Sequence, residues 1–116
     1  CTPQEIADDV HECAKLGAVF FHIHARDENN KPTMKVEVFR EICRLVKERD
    51  PDVIIQISTG GRAPPVGVNV DKNLWRINPL DLLPESGSFT PGSVNLGTCR
   101  YCTLIVVLVC ACARDL

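Results

Sequence analysis

The chain has 116 residues, 45% of them hydrophobic and 24% charged, the balance of one ordinary globular domain and not of a disordered segment. Thirteen basic and 15 acidic residues leave a formal net charge of -2, which supplies no field for a nucleic acid or an anionic membrane surface. With one Trp, one Tyr and scattered basic residues, a stacking platform for single strands is also excluded.

The chain opens on Cys1, and no charged start followed by an apolar stretch marks a secretory leader. A chain that starts this way is expected to be a piece of a longer one, and a cytoplasmic location is expected. The strongest apolar run, Thr103 to Ala113 (TLIVVLVCACA), is shorter than the roughly 20 residues of a spanning helix. It is expected to be a buried strand or helix. Seven Cys without a leader do not suggest a disulfide scaffold. Cys13 and Cys43 fall in helical patterns and are expected to be small buried apolar residues. Cys99-x-x-Cys102 and Cys110-x-Cys112 offer four thiolates, but their apolar spacer is unlike a zinc ribbon.

Thr2-Pro3-Gln4-Glu5 predicts a helix start, with Thr2 as cap, Pro3 at the first helical position and Glu5 closing a capping box. Ile6, Val10, Cys13, Ala14 and Leu16 recur at helical spacing, and Gly17 stops the helix. His11 lies among polar residues on this helix and is expected to be exposed. Ala18 to His24 (AVFFHIH) reads as a buried strand of a parallel sheet covered on both faces. After the polar segment Arg26 to Pro32, a second helix is expected over Lys35 to Arg49. Val36, Phe39, Ile42, Cys43 and Val46 mark its inner face. Asp50-Pro51-Asp52 breaks it, and Val53 to Ser58 forms a second buried strand ending in Thr59-Gly60-Gly61. A longer loop with Pro64, Pro65 and Gly67 leads to a short helix over Asp71 to Ile77, interrupted by Asn78-Pro79. Ser86 to Thr90 is a weaker third strand, followed by a turn at Pro91-Gly92-Ser93. The alternation of helix and strand implies an α/β fold of parallel βα units.

Side chains two apart on a strand share a face, so His22 and His24 project together at the C-terminal end of the first strand. A catalytic zinc site takes three protein ligands and leaves one position open, and this pair supplies two. The alternative is a pair of core histidines satisfied by hydrogen bonds. Two imidazoles on one face of an apolar strand favour metal, since burying both unpaired costs desolvation. Asp27 is either an orienting partner for a ligating His or half of a solvated loop pair with Arg26. Ser58-Thr59-Gly60-Gly61 ends the next strand, where hydroxyls and close backbone donors can hold a carboxylate, or simply form a tight turn. Ser88 lies on the same rim if the units repeat. In (β/α)8 barrels that rim carries the active site.

The stretches TPQEIADDV, GAVFFHIHARDENNKPT, DVIIQISTGGR and LPESGSFTPGSVNLG resemble, in the same order, the beta-keto acid cleavage enzymes, a family named after the 3-keto-5-aminohexanoate cleavage enzyme. The H-x-H-x-R-D element followed by S-T-G-G carries the likeness, since H-x-H alone also occurs in zinc amidohydrolases. It covers residues 2–97; 98–116 form an apolar, Cys-rich tail outside it. The resemblance implies part of a (β/α)8 TIM barrel with bound Zn2+. It implies condensation of a beta-keto acid with acetyl-CoA, giving acetoacetate and a new CoA ester, by a complete enzyme that is a homo-oligomer. His22 and His24 match the family's zinc-binding histidines. Ser58 and Gly61 match positions at the keto acid's carboxylate end, and Ser88, in the P-E-x-x-S pattern from Pro84, matches a further substrate contact. A barrel of this kind needs about 250 residues. The family's third zinc ligand, a Glu, and its acid–base residues have no counterpart here. The competing readings are a catalytically silent fragment or binding module, and an amidohydrolase-like zinc barrel.

Overall fold

In the computed structural model, residues 1–61, 64, 67–88, 92–96 and 99–103 are described. Helix α1 spans Pro3–Lys15 and strand β1 Phe20–Ile23, followed by α2 (Val36–Arg49), β2 (Ile54–Ile57), the short α3 (Lys72–Ile77) and β3 (Ser86–Gly87). A 3-10 turn over Asn78–Leu82 follows α3, because the proline ring at Pro79 removes a backbone donor and breaks the α-helical ladder. A separate antiparallel pair joins β4 (Gly92–Leu96) to β5 (Cys99–Thr103). Gly92 and Ser93 are therefore ladder residues, not the predicted turn. Thr90, Pro65, the run from residue 104 to 113, and Cys110 and Cys112 lie outside the described residues.

The N-terminus of α1 forms as its sequence dictates. The Thr2 hydroxyl accepts from the Glu5 N–H at 3.2 Å, and the Glu5 carboxylate accepts from the Thr2 N–H at 2.7 Å. Gly17 then adopts φ +97°, a left-handed turn that glycine enters without steric cost. Helix α2 buries Phe39, Ile42 and Val46, spaced to share one helical face.

The sheet runs in the order β1-β2-β3, with both pairings parallel. Cα register places His22 beside Gln56 and Gln56 beside Ser86. Ile23, Ala25, Val53, Ile55 and Ile57 enter one core with Ala7 and Val10 of α1 and Phe39, Ile42 and Val46 of α2. The sequence predicted strands covered on both faces. Among the described residues only one face is covered: Phe20 is 50% exposed and Ile54 is exposed as well, while their neighbours Ile55 and Ile57 are buried. Strand alternation explains the split, since both helices lie against the odd-numbered side chains.

Three further expectations change. Leu16 is 89% exposed, because it is the C-cap residue at which the chain leaves the helix. Cys13 is exposed and Cys43 half-buried, since Ala7 and Val10 define the inner face of α1 and Cys13 lies to its side. His11 is half-buried, with Nδ1 3.0 and 3.1 Å from the two Asp50 carboxylate oxygens, tying α1 to the end of α2. An Arg49–Asp8 ion pair joins the same two helices.

Candidate functional site

The open face of the sheet carries a row of polar side chains that β-register sets side by side. His22 Nδ1 and Gln56 Oε1 are 2.6 Å apart, and Gln56 Nε2 donates to Ser86 Oγ at 3.0 Å. His22 Nε2 in turn lies 3.1 Å from His24 Nε2, with the rings nearly perpendicular at a centroid distance of 4.8 Å. Two imidazoles on a tetrahedral zinc, with bonds of about 2.0–2.1 Å, place their nitrogens roughly 3.3 Å apart. The spacing and donor type of the pair thus fit such an ion. The His24 pKa is lowered, first by burial and then by His22 and Arg26. A depressed pKa keeps its ring neutral near pH 7, the state a metal ligand requires. Among the described residues no group of three His, Cys, Asp or Glu side chains comes together as a complete metal site.

The rim beyond the strands is held by hydroxyls. Ser58 N–H donates to Ile23 O at 3.1 Å and Ser88 N–H to Ile57 O at 2.9 Å, so both residues extend the parallel ladder at one edge. Ser88 Oγ accepts from the Thr59 N–H at 2.8 Å and lies 3.0 Å from Thr59 Oγ1, which also donates to Ser88 O at 2.9 Å. Ser58 is buried, and its Oγ accepts from the Gly60 N–H at 3.3 Å. Gly61 has a packing reason for its missing side chain. A Cβ there would collide with Sδ and Cγ of Met34, itself fully buried.

Ser58, Gly61 and Ser88 thus share one rim, on the same end of the sheet as the histidines. Asp27 faces elsewhere. Its Oδ1 accepts from the Asn29 and Lys31 N–H groups, both at 2.9 Å, which closes the loop after β1 as an Asx turn. The Lys31 N–H, joined by the Asn29 N–H and the Lys31 and Lys35 charges, outweighs the cost of desolvation and holds its carboxyl below the ordinary range. Gln56 and Ser86 were not singled out by sequence reasoning, and Thr59 entered only as part of the S-T-G-G element. The available signal was a lone polar residue, Gln56, inside the apolar run Val53 to Ile57. Ser86 carried none, and nothing local pairs Thr59 with Ser88, because the partners lie 30 and 29 residues away.

Parallel βα units with imidazoles and hydroxyls gathered on the rim of the sheet define an α/β protein with a strand-end site. The beta-keto acid cleavage enzyme family model matches residues 1–111, and the chain belongs to that family. It is 38% identical over 96 residues to a 3-keto-5-aminohexanoate cleavage enzyme of Fusobacterium nucleatum subsp. nucleatum, covering 83% of this chain and 33% of the relative. It is 37% identical over 98 residues to a 3,5-dioxohexanoate:acetyl-CoA acetone transferase of Paraburkholderia graminis, covering 83% of this chain and 29% of that one. A 3-oxoadipate:acetyl-CoA acetyltransferase of Cupriavidus necator is 28% identical over 100 residues, 86% of this chain and 33% of the relative. The chain spans about a third of the length of these relatives. No helix among the described residues is long and apolar enough to cross a membrane.

Proposed function

We propose that the chain is part of a (β/α)8-barrel acyltransferase that cleaves a beta-keto acid with acetyl-CoA as co-substrate, and that His22 and His24 hold a zinc ion for it. The observation that carries the metal reading is the convergence of the two Nε2 atoms at 3.1 Å on the open face of the sheet. Family membership and the acetyl-CoA transferases among its relatives support the reaction class. Bound zinc supplies Lewis acidity toward a keto oxygen. Ser58, Gly61 and Ser88, on the adjoining rim, position the keto acid through its carboxylate, which holds the reacting carbon near the histidines. The complete enzyme is expected to be a cytoplasmic homo-oligomer.

A second reading is that the 116-residue chain by itself binds metal without turnover; among the described residues the two histidines are joined by no third His, Cys, Asp or Glu donor. Equilibrating the chain with zinc and measuring bound metal after gel filtration tests both readings. Wild type is expected to retain zinc, and His22→Ala or His24→Ala to lose it. A wild-type chain that retains none overturns the metal reading. An assay with acetyl-CoA and a set of beta-keto acids is expected to show no turnover by the chain alone. Measurable turnover overturns the second reading.

A further inference from the structure

The geometry points to Gln56 as the positioning residue that sets the tautomer of His22 and so turns its Nε2 lone pair toward the metal. The inference rests on the metal reading above and extends it to a residue one strand away.

Neutral imidazole carries one proton, and the hydrogen bond at one ring nitrogen decides which nitrogen keeps it. Gln56 Oε1, 2.6 Å from His22 Nδ1, can only accept. The proton is therefore on Nδ1, and Nε2 is left unprotonated, its lone pair facing His24 Nε2. The amide itself is held from its other end, where Nε2 donates to Ser86 Oγ at 3.0 Å. Rotating the amide by half a turn would direct an N–H at Nδ1. The proton would then move to His22 Nε2 and cover the lone pair a cation needs. The amide thus decides whether a cation finds His22 Nε2 unprotonated, while His24 carries the proton of the 3.1 Å contact until metal displaces it.

The backbone makes this arrangement inexpensive. His22, Gln56 and Ser86 are register partners across three parallel strands, so their side chains leave the sheet side by side in one row. The row is built on strands and not on a loop, which limits the positional freedom of each member.

The test uses the full 116-residue chain. In metal-free protein above pH 7.5, long-range 15N–1H NMR of the imidazoles reports the tautomer of His22, and titration with zinc alone reports affinity. Wild type is expected to show protonated Nδ1. Gln56→Leu is expected to shift His22 toward protonated Nε2 and to weaken zinc roughly 10- to 100-fold, the usual cost of losing an outer partner of a ligand. Gln56→Glu keeps an acceptor at the same place and is expected to keep both the tautomer and the affinity. If Gln56→Leu fails to fold, Ser86→Ala, which frees the amide to rotate, is expected to mix the tautomers. Protonated Nε2 in the wild type overturns the inference. So does an unchanged tautomer and affinity in Gln56→Leu, or in Ser86→Ala where that variant stands in, while His22→Ala abolishes binding. A wild-type chain that binds no zinc but keeps Nδ1 protonated overturns the metal reading instead.

Discussion

Thr59 and Ser88 are joined at both backbone and side chain: the Thr59 N–H and hydroxyl meet the Ser88 hydroxyl and carbonyl at 2.8 to 3.0 Å. The link ties the loop after β2 to the residue after β3 and sets the rim on which the carboxylate cradle is proposed. Removing one partner leaves the other's polar groups half-satisfied, whereas removing both leaves less exposed imbalance. Thr59→Val and Ser88→Ala are each expected to destabilise by about 1 kcal/mol. The double variant is expected to cost less than their sum, by roughly 0.5 kcal/mol or more. Urea unfolding of the four proteins measures the coupling; strict additivity would show that the two side chains act independently.

Gly61 is expected to tolerate no side chain. Gly61→Ala forces its methyl into Met34, whose thioether is buried in the core. Overpacking of this kind costs about 1–3 kcal/mol. Shortening the neighbour should relieve it, so Gly61→Ala with Met34→Val is expected to recover part of the loss. A urea midpoint for Gly61→Ala equal to wild type, with unchanged slope, would refute the packing account.

Glu85 makes stability fall in acid. Partial burial works to raise its pKa, but the Lys47 ammonium, its own backbone N–H and the Ile55 N–H together outweigh it, and the net shift is downward from 4.5. The Ile55 bond is 3.1 Å, and the ion pair with Lys47 anchors the start of β3 to α2. A carboxyl with a lowered folded pKa stabilises above its unfolded pKa and loses that contribution as pH falls through the folded value. Unfolding midpoints are therefore expected to be level near neutrality and to decline below about pH 4.5. Glu85→Gln is expected to lower the neutral plateau and flatten the acid limb; an acid limb as steep as that of wild type would refute the assignment. Asp27, held low by its loop amides, contributes to the same limb.

The two helix thiols are expected to separate by reactivity. Burial, and then the Glu85 charge, push the Cys43 thiol up to about 11, and the thiolate is the reactive form. Cys13 is exposed. Mass spectrometry after brief iodoacetamide treatment at pH 8 is expected to find Cys13 alkylated and Cys43 protected. Equal labelling of both would contradict the packing of α2.

Among the described residues Phe39 is the largest fully buried side chain. Phe39→Ala is expected to destabilise by about 3–5 kcal/mol, a large share of the roughly 5–15 kcal/mol that holds an ordinary domain folded. Urea unfolding followed by far-UV circular dichroism checks it, and a midpoint equal to wild type would count against a single core.

By itself the sequence determined what depends on near neighbours in the chain. The Thr2–Glu5 capping box, the Gly17 stop, the Phe39–Ile42–Val46 stripe and the break at Pro51 are set by local sterics and helical period. The shared face of His22 and His24 follows from strand alternation alone. Only the tertiary structure decided how separate strands meet. An apolar run such as AVFFHIH does not state which of its faces will be covered, and packing of α1 and α2 onto the odd positions decided it. His11 found Asp50 across 39 residues, and the Thr59–Ser88 link needed strand register, which no local pattern encodes. The same holds for Gln56. Between apolar neighbours it reads as an ordinary polar interruption, and it becomes His22's partner only because parallel pairing sets the two Cα positions side by side.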